Sequence, residues 1–307
     1  QNNCNIIHYY TVKLKYKGRL ITRMEKRITA QGPKDRKSYT ITLPIKWVKQ
    51  VGLDKSRSAF LEIVGDNVVI SPSKGTPKRI CIKGEDYRNC TIKIMQGLYR
   101  LGIDEVSITT YDNKQVEELI EIISKKLIGF EIVEQKKEQI LVKDITNESS
   151  EGFNVIMRRV FLLLMELSES EDRQKIAALD QNIKKLINFC QRAIMKSGHA
   201  DFRRTPIYYL MLDRLEKMCD ELKWALRAAD NKKDIEIQRK TRACLRAAYE
   251  LFYDFENKKY AYYQYRTYEL FKRGDGNRKR FNLHWINLMR ILNSLLGDIF
   301  MLRYSEA

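Results

Sequence analysis

The chain has 307 residues, of which 44% are hydrophobic and 31% charged, a composition that fits soluble globular domains and excludes a disordered chain. Its formal net charge of +18 is uneven: +5 over residues 1–23, +6 over 24–78, −1 over 79–147 and +8 over 148–307. The excess in the first quarter favours an anionic polymer or surface as partner, with a well-solvated basic surface as the plain alternative.

The chain opens on Gln1, and Met24 opens the first segment that reads as a module. Residues 1–23 stand either as translated upstream sequence or as an extra basic arm, and they are left out of the fold argument. Over residues 24–78 a β-rich module is expected. Residues 25–29 alternate weakly, and 31–37 form a turn-rich basic loop. Residues 38–43 alternate in period two with β-branched side chains, the pattern of a strand. Pro44 then takes the favoured first position of a short helix over 45–51, which Gly52 ends. Strands follow over 59–64 and 68–71, joined by a tight turn at 65–67 and stopped by Pro72. About 50 residues are marginal for a lone core, so this module is expected to pair with a second copy.

Residues 79–147 read as a small α/β linker domain. Strands are expected over 80–83 and 105–109, helices over 86–101 and 113–127, and a closing hairpin over 130–134 and 139–143. The second helix sets Val116, Leu119, Ile120, Ile123 and Leu127 on one face. With near-neutral charge, the unit is expected to be a spacer or dimerisation piece. Residues 148–307 read as almost wholly helical, with breaks near 169–172, 198–205, 230–233 and 274–277. Five or six long helices are expected to form a bundle; two three-helix halves would fit, although the sequence shows no clear repeat. The whole is an α+β chain.

Sites of catalysis are not apparent. No glycine-rich phosphate loop follows any strand. His8, His199 and His284 are scattered, and Cys4, Cys81, Cys90, Cys190, Cys219 and Cys244 form no C-x-x-C pair. Three of these cysteines fall in apolar helical patterns, where a thiol behaves as a small hydrophobe. The longest apolar run of the helical half, residues 160–165, is too short to span a bilayer, and no apolar signal region opens the chain. A cytoplasmic, non-enzymatic protein with no membrane insertion is therefore expected.

Two stretches carry a family resemblance: SYTITLPIKWVKQVGL at 38–53 and FLEIVGDNVVISP at 60–72. A strand running into Leu-Pro, a short helix, Gly-Leu and a hairpin, in that order and spacing, resembles the SpoVT-AbrB family. LIGFEIVE at 127–134, ahead of a long helical domain, is similar to the junction in archaeal proteins that fuse this module to PhoU. The resemblance implies a swapped-hairpin homodimer that lays a basic surface on double-stranded DNA, in front of a PhoU-like bundle. It further implies a transcriptional regulator of phosphate uptake, with a phosphate-transporter or signalling protein as partner. The alternative is a protein-only adaptor that uses the module as a dimer clasp. The candidate DNA contacts are Lys26 and Arg27 at the first strand, Lys34, Arg36 and Lys37 on the following loop, and Lys46 and Lys49 on the short helix. A two-fold axis would double each cation, and phosphate contacts would make binding steeply salt-dependent.

In PhoU relatives an E-x-x-x-D signature marks metal-binding helices, and EKMCD at 216–220 resembles its second copy. Glu216 and Asp220 share a helix face at i, i+4, with Asp213 beside them. The first copy falls in LDQNIK at 179–184, where Asp180 matches the leading acid. Together these carboxylates are the candidate ligands for a divalent or trivalent metal ion. Lys184, however, stands where the signature has an aspartate, and a lysine there repels a cation or forms an ion pair. Finally, KKYAYYQYRTY at 258–268 interleaves aromatics with cations. Tyr260, Tyr263 and Tyr268 make no clean stripe with Tyr262 and Tyr265, so a helix–helix interface is the expected use, with base stacking as the other.

Overall fold

The computed structural model describes residues 15–16, 19–20, 25–33, 36–64, 67–72, 77–146, 152–199, 201–228, 232–274 and 280–305. The chain divides into two compact units, one comprising residues 1–61 and 70–74 and the other 62–69 and 75–307. It is an α+β protein with short strands in its N-terminal region and a mostly helical C-terminal region.

The N-terminal strands come in pairs. β1 (Lys15–Tyr16) pairs with β2 (Arg19–Leu20), and β3 (Ile28–Gln31) pairs antiparallel with β4 (Ser38–Ile41), setting Ile28 opposite Ile41. Pro44, expected at the first helical position, is instead the extended residue that caps α1 (Ile45–Gln50). A second short helix, α2 (Leu53–Ser56), was not expected; Gly52 in left-handed conformation lets the chain turn directly into it. β5 (Phe60–Val64) and β6 (Asn67–Ser71) form a further two-stranded sheet. The tight turn expected at 65–67 lies mostly outside the described residues.

The α/β layer follows. β7 (Arg79–Lys83) runs parallel to β8 (Glu105–Thr109), with α3 (Thr91–Arg100) in the crossover. α4 (Asn113–Lys126) leads to the antiparallel pair β9 (Phe130–Lys136) and β10 (Gln139–Asp144), and the sheet order is β7-β8-β10-β9. Val106, Ile108, Ile140 and Val142 alternate onto one face, where Met95, Tyr99, Leu119 and Ile122 of the two helices cover them. The single helix expected over 86–101 is instead a 3-10 turn (Gly84–Tyr87) followed by α3. The start of α4 is held by a capping box: Gln115 N donates to Asp112 Oδ1 at 2.9 Å while Asp112 N donates back to Gln115 Oε1 at 3.3 Å.

Six helices make up the rest of the described chain: α5 (Phe153–Glu169), α6 (Arg173–Ser197), α7 (Thr205–Ala228), α8 (Lys232–Tyr253), α9 (Asn257–Gly274) and α10 (Arg280–Tyr304). Within α5–α7 every helix packs on the other two, as it does within α8–α10, and α7 against α10 and α5 against α8 join the halves. Phe161, Leu164, Ile187, Leu215, Met289 and Leu295 are among the side chains of the resulting continuous core. The α8–α9 break at 254–256 was not expected, because neither glycine nor proline marks it.

By length and composition the 283–304 stretch of α10, with mean hydropathy 1.2, could cross a membrane, although the sequence shows no long uninterrupted apolar run. Half of that stretch is buried within the fold, as in a core helix. Asp298 on it is wholly buried and pairs with Arg214 of α7; burial pushes its carboxyl above the ordinary range against the pull of that guanidinium.

The α/β layer is no free spacer. It belongs to the same compact unit as the bundle, with α3 and α4 both packed on α6.

Candidate nucleic-acid interface

Two sets of residues bear on function: the N-terminal cations and the carboxylates of α6 and α7. Lys26 and Arg27 lie just before β3 rather than in it. Arg36 and Lys37 end the loop into β4, while Lys34 is outside the described residues. Gly32 shapes that loop with φ of 105°, and a Cβ there would sit 2.6 Å from the Arg36 carbonyl oxygen, so only glycine fits. Lys46 and Lys49 stand three apart on α1. All six described cations are exposed, and none has an ion pair among the described residues.

The apolar side chains nearby are exposed too. In the first unit Ile28 is 64% exposed, Tyr39 72%, Ile45 65% and Leu61 65%, and only Leu53 is buried among its described residues. Both strands of the β3–β4 pair are exposed throughout. Contiguous exposed apolar surface is a mark of interaction surfaces. Full burial of such side chains is worth about 1.5–3 kcal/mol each.

The carboxylates of the bundle are committed to cations of the chain itself. Asp180, Lys184, Asn188, Arg192 and Lys196 recur every four residues along α6, forming a polar seam that runs from α7 to the α/β layer. At its first end Lys184 Nζ lies 2.9 Å from Asp180 and 2.6 Å from Asp220. Lys223 completes the square at 3.1 Å from Asp180 and 3.3 Å from Asp220. Burial opposes the charge on Asp180, but hydrogen bonds and charge from Lys184 and Lys223 outweigh it and hold the carboxyl below its ordinary range. Burial likewise opposes the Lys184 ammonium, and its two aspartates override that and raise its pKa. Glu216 accepts from Arg100 at 2.7 Å, and Asp213 pairs with Lys217 at 2.6 Å.

The four acids expected to gather round a metal ion are therefore spread over three ion-pair systems. Among the described residues no group of three or more histidine, cysteine, aspartate or glutamate side chains is placed to hold a metal. Lys184 forms the ion pair that its identity suggested.

The other end of the seam escaped sequence reasoning. Arg192 is wholly buried, and its guanidinium donates to the Tyr99 carbonyl at 3.0 Å and the Ile103 carbonyl at 2.7 Å. It also reaches Asp144 at 2.6 Å and Asp104 at 3.2 Å, and it lies over the Tyr99 and Phe130 rings. Lys196 adds a 2.8 Å contact to Asp104. Burial opposes ionisation of both aspartates, yet both carboxyls are held below the ordinary range. A hydrogen bond from Lys196 and then one from the Lys78 backbone do this for Asp104; Thr146 and then Arg192 do it for Asp144. Asn188, also buried, accepts from Gln96 and Arg100 and donates to the Lys126 carbonyl at 3.1 Å. The i+4 spacing of polar residues was the available signal, but on an amphipathic helix it reads as a solvent face.

All five described cysteines are free; Cys81 and Cys90 are exposed, while Cys190, Cys219 and Cys244 are buried. Burial pushes the Cys190 thiol up to about 12, so it behaves as a hydrophobe rather than a nucleophile.

In comparisons with family models, with curated proteins and with solved structures, the chain matches none.

Proposed function

We propose that the protein is a DNA-binding transcriptional regulator that works in the cytoplasm as a homodimer, by binding rather than catalysis. The observation that carries this reading is the coincidence, in the first unit, of six exposed cations without ion pairs and of large apolar side chains left in solvent. The apolar residues call for a second copy, and pairing two copies doubles the cations. The SpoVT-AbrB resemblance gives this the form of a swapped-hairpin dimer on double-stranded DNA. The two three-helix halves agree with a PhoU-like bundle, and on that resemblance the regulated process is phosphate uptake, with a phosphate-transporter or signalling protein as the bundle's partner.

The test is binding of the full chain to DNA from upstream of its own gene across a salt series, with a non-specific duplex as competitor. Specific binding that weakens steeply with salt is expected. Arg36→Ala with Lys37→Ala should flatten the salt slope by about 0.9 for each phosphate that is no longer neutralised. Equal or absent binding to both duplexes would reduce the module to a dimer clasp and leave the protein-only adaptor.

A further inference from the structure

α9 carries a second anomalous surface, remote in sequence from the first unit. Its tyrosines sort by orientation. Tyr260 and Tyr263 are half-buried, with Tyr260 against Phe255 and Phe300. Tyr262, Tyr265 and Tyr268 point outward, at 55%, 61% and 48% exposure. The sequence grouped Tyr268 with the inner pair; the structure places it in an outer row of three, spaced i, i+3, i+6. Successive rings thus step about 4.5 Å along the helix.

Cations flank the row. Lys258, Lys259, Arg266 and Lys272 are all exposed, and Glu269 is the one acid between Lys259 and Lys272 in the sequence. Lys259 pairs with Glu256 at 3.5 Å. Lys258, Arg266 and Lys272 have no ion pair among the described residues. Arg266 lies 6.0 Å from the Tyr262 ring centre and Lys272 4.7 Å from that of Tyr268. Elsewhere in the bundle Lys175, Lys184, Arg214, Lys217, Lys223 and Arg242 meet carboxylates, whereas Arg159, Arg173 and Lys185, like the α9 cations, have no ion pair among the described residues.

We propose that the outer face of α9 binds single-stranded nucleic acid, with unstacked bases on Tyr262, Tyr265 and Tyr268 and phosphates on Lys258, Arg266 and Lys272. Exposed rings beside uncommitted cations are the two elements such binding needs, and every base offers a π-face to stack. A duplex keeps its bases stacked inside and would leave the rings without a role. A lipid surface needs aliphatic or phenylalanine side chains to enter the acyl region, and on this face only Ala261 is apolar without a polar tip. A protein interface also favours tyrosine and arginine but is depleted of lysine; here Lys258 and Lys272 stand among the rings, and the leucine and phenylalanine of the helix, Leu270 and Phe271, are turned inward. The inference stands apart from the reading of the N-terminal module.

The experiment uses the full chain and a fluorescent oligothymidine of about 20 nucleotides, longer than a typical single-strand site. Anisotropy is read with unlabelled duplex in excess, so that the N-terminal cations are occupied. Replacing Tyr262, Tyr265 and Tyr268 together by serine should weaken binding about 30-fold or more, while replacing all three by phenylalanine should hold it within a few-fold. Should the serine chain melt early, Arg266→Gln with Lys272→Gln is the second variant, expected to lower the salt slope by about 1.4. Unchanged affinity in the serine variant, or in its place an unchanged salt slope in the glutamine variant, overturns the proposal. So does equal loss in the serine and phenylalanine variants, or displacement of the oligonucleotide by polyglutamate as readily as by unlabelled oligothymidine. Failure of the N-terminal reading shows separately, as duplex binding indifferent to Arg36→Ala with Lys37→Ala.

Discussion

The first unit and the bundle solve opposite problems with similar residues. In the first unit Ile28, Tyr39, Ile45 and Leu61 stay in water and the cations stand alone. In the bundle a continuous set of apolar side chains is inside, and even a guanidinium, that of Arg192, is buried and satisfied. A short strand pair has too little mass to cover itself, whereas six long helices bury both apolar and polar side chains. The contrast separates a part of the chain that has its own core from one that leaves its large apolar side chains in water.

The largest expected effect probes the second unit. Arg192→Leu removes the guanidinium from a buried cluster and leaves Asp144, whose side chain is 4% exposed, with only Thr146 and Lys196. Loss of about 3–5 kcal/mol is expected, read as a fall in the urea midpoint of the second unit. A change below about 1 kcal/mol would mean that water replaces the guanidinium. Acid should act on the same cluster. The Asp104 and Asp144 pKa values are lowered on folding, so their contribution is full above the ordinary value of 3.8 and is lost as pH falls through the folded values. Urea midpoints taken from about pH 6 down to about pH 3 should drop below pH 4 in the native chain. In Arg192→Leu the part of that drop due to Asp144 should shrink.

A smaller effect probes the first unit. Ile41, 49% exposed, lies opposite Ile28 in the β3–β4 pair. If a second copy covers it, Ile41→Asp should raise the dimer dissociation constant ten-fold or more, since about 1.4 kcal/mol is one decade. Sedimentation at a series of concentrations measures this; an unmoved constant would leave these apolar residues simply solvated. The smallest effect is at Gly102, where φ is 74° and an added Cβ would lie 2.5 Å from Lys196 Cγ. Gly102→Ala should cost about 1 kcal/mol or somewhat more, because alanine is strained at positive φ and displaces the Asp104 partner. A thermal melt would read it as a few degrees.

Local pattern revealed much of this architecture. The alternation of residues 105–109 marked β8, and the apolar face of residues 113–127 marked α4 to within a residue of its end. Glycine and proline located the helix breaks at 198–205 but were lacking at 254–256, so the α8–α9 turn went unread. The exposed cations were legible because charge seeks water by default. The metal reading of Asp180, Asp213, Glu216 and Asp220 was not sustained by their surroundings, since Arg100 and Lys223, which hold three of those acids, come from outside the motif. Arg192 was illegible for the same reason: its partners at 104 and 144 are 88 and 48 residues away.

The Arg192 contacts have a practical corollary for anyone dividing this chain. A cut between residues 146 and 152 would give one fragment holding Asp104 and Asp144 and another holding Arg192, each carrying half of a lock. Such fragments invite use as a complementation pair: soluble together, poorly so apart, and able to report by their reunion that two tethered molecules have met.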